Sequence, residues 1–237
     1  MGRAVNIRVV PEPPVGEAQQ FGLCVDVSAT VPRPPEIYRK LTGVAPEAAG
    51  IESDEAFDRH ALACITSVAA CEAGELTERL GLSAEDVSGL LSSFSIGDRI
   101  AGDSGVVAAG AADPEEVELI RDILLAHLVP GCESGRWFAA MIARRALEPN
   151  HLWEDLGLRN RGELTRLMGR HFASLAARND KNMRWKRFIY RLMCENDGFV
   201  MCATPVCTNC ADYNSCFGSE EGTNRLSEAS ASQSPRV

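Results

Sequence analysis

No run of eighteen apolar residues occurs in this chain, and its first thirty positions lack a basic start followed by a continuous apolar core. Neither a membrane span nor a secretory signal is expected, and the expected location is cytoplasmic. Positive charge is short as well: 24 Lys and Arg stand against 33 Asp and Glu, a net charge of −9. The broad basic footprint that phosphate backbones require is missing, so nucleic acid is not an expected partner. Aromatic residues make up only 6% of the 237 positions, yet Trp153 and Trp185 both fall in the C-terminal half. Alternating runs of strand type are absent. No nucleophile–base pair, phosphate-binding glycine loop or dinucleotide fingerprint is present, and an enzyme is not expected.

Cysteine is what the chain has in excess. Of nine cysteines, five lie between positions 194 and 216, and four of these read Cys202-x4-Cys207-x2-Cys210-x5-Cys216. In a reducing compartment disulfides are not expected, and the odd count fits pairing poorly. Thiolate sulfur selects zinc, cuprous copper or iron–sulfur clusters, and the first three cysteines have the C-x4-C-x2-C spacing of plant-type ferredoxins. The iron–sulfur reading leads. Structural zinc stays open, although zinc loops usually offer two tight Cys-x2-Cys pairs and only Cys207 and Cys210 form one here. The spacing Cys-x2-Cys-x5-Cys also occurs in some helical DNA glycosylases, but acidic charge and the lack of a helix–hairpin–helix phrase argue against that class.

The rest of the chain reads as an all-α fold. Residues 1–43 carry Pro11, Pro13, Pro14, Pro32, Pro34 and Pro35 without a helical period, which predicts a disordered leader. Residues 218–237 are rich in Ser and Glu and predict a disordered tail. Between them, 44–217 should hold about six to eight helices, judged from apolar residues at helical spacing. Phe57, Ala61, Cys64, Ile65 and Val68 share one face; Trp185, Phe188, Ile189, Leu192 and Met193 give the cleanest stripe. Leu76-x-Glu78-x-Leu80-Gly81-Leu82 returns as Leu152-x-Glu154-x-Leu156-Gly157-Leu158, which suggests two helix–turn–helix repeats joined by a Gly/Ala-rich linker at 102–112. Ser83 with Asp86 resembles a helix cap in the first copy, whereas Arg159-Asn160-Arg161 in the second shows none.

Just before the cysteine loop, Arg178, Lys181, Arg184, Lys186, Arg187 and Arg191 form a basic segment with Asp180 as its acid. Arg184, Arg187 and Arg191 share the side opposite the apolar stripe, where they can balance an anionic thiolate cluster or attract an oxyanion such as molybdate. Cys194 falls on the same basic side and is a candidate fifth ligand. His171 stands at an apolar helix position, which favours a hydrogen-bonded core histidine over a ligand, and His151 stands where a helix begins. Cys64, Cys71, Cys132 and Cys24 read as small hydrophobes.

The combination of His151-Leu-Trp-Glu-Asp-Leu-Gly-Leu158, His171-Phe172, Met183-Arg-Trp-Lys-Arg-Phe-Ile-Tyr190, Cys194-Glu195 and the four-cysteine motif resembles the NifQ family of nitrogen-fixation proteins. The resemblance is close from about 150 to 217 and looser from 45 to 148. It implies a molybdenum–iron–sulfur cluster, built from an iron–sulfur cluster precursor, carried to supply molybdenum for the nitrogenase iron–molybdenum cofactor. The implied recipient is the NifEN scaffold working with the iron protein NifH, and the implied supply is molybdate or a molybdenum donor. By position, Cys202, Cys207, Cys210 and Cys216 are the implied ligands, with Cys194, Arg187, Arg191 and His171 as accessory candidates.

Overall fold

A computed structural model of the chain describes residues 32–94, 114–196 and 207–227. These residues form eleven α-helices and two short 3₁₀ turns, and no strand occurs among them. The expected linker at 102–112 lies outside the described residues, which all belong to a unit beginning at Val31. More helices are found than expected because several are single turns too short to show a period.

The first helix corrects the expected leader. Helix α1 (Pro34–Thr42) starts on Pro34 and Pro35, where prolines cost no hydrogen bond, and ends at Gly43 with φ +82°. Its Ile37, Tyr38 and Leu41 enter the core. The Tyr38 hydroxyl lies 2.7 Å from His60 Nδ1 on α2 (Asp54–Ala69), a helix with both sides packed and a Ser53 N-cap. Prolines read as breakers were therefore a helix start.

Both repeat copies adopt a short helix, a left-handed glycine and a second helix. In the first, α3 (Leu76–Leu80) turns at Gly81 (φ +64°) into α4 (Ala84–Ser93), capped by Ser83 as expected. In the second, α7 (Leu152–Asp155) turns at Gly157 (φ +68°) into α8 (Arg161–His171). Here the sequence reading missed the cap: Asn160 accepts a hydrogen bond from the Glu163 N–H at 3.1 Å. The two turns match in detail, with Leu82 N–H donating to Thr77 O and Leu158 N–H to Trp153 O. Both glycines sit against a neighbouring helix, since a Cβ at Gly81 would lie 3.1 Å from Ala140 O and one at Gly157 3.0 Å from Cys64 O. Only glycine meets both the positive φ and the close approach.

Between the copies, α5 (Glu115–Ala126) packs on α6 (Glu133–Arg145), which also touches α2, α3 and α7. Helix α9 (Ala173–Arg178) continues from α8, and α10 (Trp185–Asn196) lays Trp185, Phe188, Ile189 and Leu192 on the core beside α5. Full burial of such a side chain contributes about 1.5–3 kcal/mol. Arg145 is fully buried and bridges the halves: its guanidinium pairs with Glu72, and Nε donates to Asp155 O at 2.8 Å. Burial pushes the Glu72 carboxyl up, but bonds from Arg145 and Arg225 outweigh it and hold it below the usual range.

The expected tail is also corrected, at least through Ser227. Arg161 pairs with Glu220 at 2.6 Å, Thr223 N–H donates to Glu154 at 2.7 Å, and Arg225 donates to Glu72 at 2.9 Å. Leu226 is 1% exposed. This strap returns the chain to the core immediately after the cysteines.

Candidate metal centre

Arg184, one residue ahead of α10, ties the cysteine segment to the helices. Its backbone N–H donates to Cys216 O at 2.8 Å. Its guanidinium donates to Ser219 O at 2.6 Å, Gly218 O at 3.3 Å and Ser215 O at 3.4 Å. A Cβ on Gly218 would lie 2.5 Å from Asn214 O and 3.1 Å from Arg184 Nη2, so the close approach requires glycine.

Within the segment, backbone turns set each thiol. Cys207 opens the 3₁₀ turn Cys207–Asn209, and Cys210 N–H donates to Cys207 O at 3.0 Å. Tyr213 N–H donates to Cys210 O at 3.1 Å, which starts α11 (Tyr213–Phe217), the helix that carries Cys216. From 207 to 216 the three cysteines are half-buried and every residue between them is exposed. The covered side of the segment is thus its thiol side. Three soft sulfur donors on one short segment fit an iron–sulfur cluster or zinc. Cys202 lies outside the described residues.

The accessory candidates are dispersed. Cys194 is half-buried on the last turn of α10. Arg191 donates to Glu195 at 2.7 Å, so its charge is matched on its own helix. Arg187 is half-buried, and among the described residues no carboxylate pairs with it or with Arg184. His171 is fully buried at the end of α8, with Nε2 at 2.9 Å from Asp58 Oδ1 and Nδ1 at 3.1 Å from Cys132 Sγ. Both ring nitrogens are engaged there, which leaves neither for the cysteine segment.

Asp58, Cys132 and His171 place one donor atom each within 4.8 Å of one another. Arg170 donates to both Asp58 oxygens, at 2.8 and 2.9 Å, and supplies the positive charge that a cation would otherwise bring. Burial raises the Asp58 pKa, but bonds from His171 and Arg170 outweigh it and leave the carboxyl below the usual range. The cluster is complete as a hydrogen-bonded knot joining α2, α6 and α8. Sequence reading missed it because its members are far apart in the chain and Cys132 looked apolar.

A family model described as NifQ matches residues 61–218. The chain belongs to the NifQ family. It is 44% identical over 171 residues to a NifQ homolog of Sinorhizobium fredii, covering 70% of this chain and 74% of that protein. It is 38% identical over 144 residues to the NifQ protein of Rhodobacter capsulatus, covering 61% and 78%, and 46% identical over 84 residues to that of Azotobacter vinelandii, covering 35% and 43%. No solved structure matches the chain. The NifQ match ends at Gly218, where the Arg184 clamp closes; α1 and most of the strap lie beyond it. NifQ membership implies a role in nitrogen fixation. No helix among the described residues is long and apolar enough to cross a membrane.

Proposed function

We propose that this chain carries a molybdenum–iron–sulfur cluster and donates molybdenum for assembly of the nitrogenase iron–molybdenum cofactor. The observation that carries the reading is the segregation of Cys207, Cys210 and Cys216 onto the covered side of one clamped segment, in a NifQ-family chain. Cys202, Cys207, Cys210 and Cys216 are the proposed ligands of this cargo. The proposed recipient is the NifEN scaffold with NifH.

The half-exposed setting suits a carrier. A cargo enclosed by the helical core would leave only if the core opened, whereas thiols on a surface segment can exchange with those of a partner. Arg184 fixes the backbone around Cys216 and places a positive charge beside the segment that would offset the charge of an anionic cargo. Delivery of this kind is stoichiometric, so the chain acts as a donor and not as an enzyme.

Metal counts and an electron paramagnetic resonance spectrum on protein isolated without oxygen test the reading. Iron together with molybdenum is the expected result. Iron alone would make the chain a 4Fe–4S electron carrier, and a colourless zinc protein would make it a zinc-stabilised helical interaction module.

A further inference from the structure

At the base of the cysteine segment lies a cavity of about 240 Å³ whose lining includes His151, Arg184, Lys186, Arg187, Ser215 and Glu220. We infer that it binds a tetrahedral oxyanion carrying two negative charges. In the setting of the proposed function, on which this assignment of the occupant rests, that oxyanion is molybdate.

The charges of the lining decide the sign and number. Lys186 is balanced by Asp155 at 2.6 Å, and Glu220 by Arg161 at 2.6 Å. Arg184 and Arg187 remain, and among the described residues neither has a carboxylate partner. The carbonyl groups that Arg184 holds accept hydrogen bonds but carry no net charge to offset it. Two guanidinium groups three positions apart repel each other, and both are half-buried. A dianion between them removes that repulsion, and two of its oxygens suit the guanidinium fork of Arg187, while Arg184, whose Nε, Nη1 and Nη2 each donate to a carbonyl, contributes its charge.

Shape and place agree with this. A water molecule takes up about 30 Å³ in the liquid, so the cavity has room for a five-atom anion and part of its hydration shell. Ser215 supplies a hydroxyl donor and His151 a ring nitrogen. Ser215 directly precedes Cys216, whose carbonyl is held by the Arg184 backbone. The cavity therefore puts an oxyanion next to the thiol segment. With a net charge of −9 on the whole chain, the attraction is local to this cavity.

Equilibrium dialysis of molybdate against the full chain, prepared from cells grown without molybdenum, tests the site. The expected result is one saturable molybdate per chain, weakened at least tenfold in Arg187→Met and in Ser215→Glu, and changed less than twofold in Arg191→Met. Melting temperature and helical content, read on the same samples, should be unaltered in Arg187→Met. Undiminished binding in folded Arg187→Met and Ser215→Glu would overturn the site, and so would absence of saturable binding. Sulfate or phosphate binding as tightly as molybdate would overturn molybdate as the occupant. Wild-type protein that carries iron and molybdenum but takes up no oxyanion would defeat the cavity and leave the carrier reading standing. Oxyanion uptake by a chain that never holds iron would do the reverse.

Discussion

Arg145 in the helical scaffold and Arg184 beside the cysteine segment both use a guanidinium to hold backbone from a distant stretch of chain. Arg145 is fully buried, and its charge is met by Glu72. Arg184 is half-buried, grips carbonyl oxygens, and has no carboxylate partner among the described residues. The same contrast holds for the two regions as wholes. In the scaffold, Asp58, Glu163, His60 and His171 are buried and hydrogen-bonded into networks. From Cys207 to Phe217 no residue is buried, and the order comes from backbone turns, one arginine and a strap. The scaffold is built to persist, and the segment to hold something while leaving it within reach.

The contrast can be tested by damaging one region and reading the other. The largest effect is expected from Glu72→Gln, which takes the nearer carboxylate from buried Arg145, leaving Glu148 at 4.0 Å, and should cost about 3 kcal/mol in urea unfolding. Iron bound per folded chain should not change. Gly157→Ala forces a Cβ into a left-handed turn against Cys64 O and Val68, and should cost about 2 kcal/mol or more by the same measurement.

Acid should act on the scaffold first. Asp58, Glu72 and Glu163 have pKa values lowered from ordinary values of 3.8, 4.5 and 4.5, because hydrogen bonds and cationic partners outweigh burial. Groups depressed in the folded state add stability that is fully present above their unfolded pKa and is lost as pH falls through the folded one. Urea midpoints should therefore hold steady above about pH 5 and drop below it. In Glu72→Gln the acid-side slope should be shallower.

The smallest effect on global stability, about 1 kcal/mol, is expected from Gly218→Ala, whose Cβ would crowd Asn214 O at the end of α11 as well as the Arg184 clamp but lies outside the helical core. Its mark should appear in the segment as faster iodoacetamide alkylation of Cys216 in metal-free protein. Equal alkylation rates would mean that the clamp does not order the thiols.

The core was legible in the sequence wherever a long helix has one buried stripe, as Trp185, Phe188, Ile189 and Leu192 do. The repeat was legible through Leu-Gly-Leu, because a left-handed turn against a neighbouring helix demands glycine. Three features were not. Pro34 and Pro35 suggested a disordered leader, since a proline in the first turn and a proline in a loop look alike until the following Tyr38 and Leu41 are seen to be buried. The strap has a single apolar anchor, Leu226, too little to register as a pattern. At the candidate site the motif gave the thiols, but the matching of Arg191 by Glu195, with Arg187 left over, depends on which carboxylates fold nearby.

Iron bound per chain, measured without oxygen across single Cys→Ala variants, tests the central claim most directly. The account predicts loss of the chromophore and most of the iron in Cys207→Ala, Cys210→Ala and Cys216→Ala, with melting of the helices little changed, and full retention in Cys64→Ala. Undiminished iron in Cys210→Ala, or loss of iron in Cys64→Ala without unfolding, would contradict it.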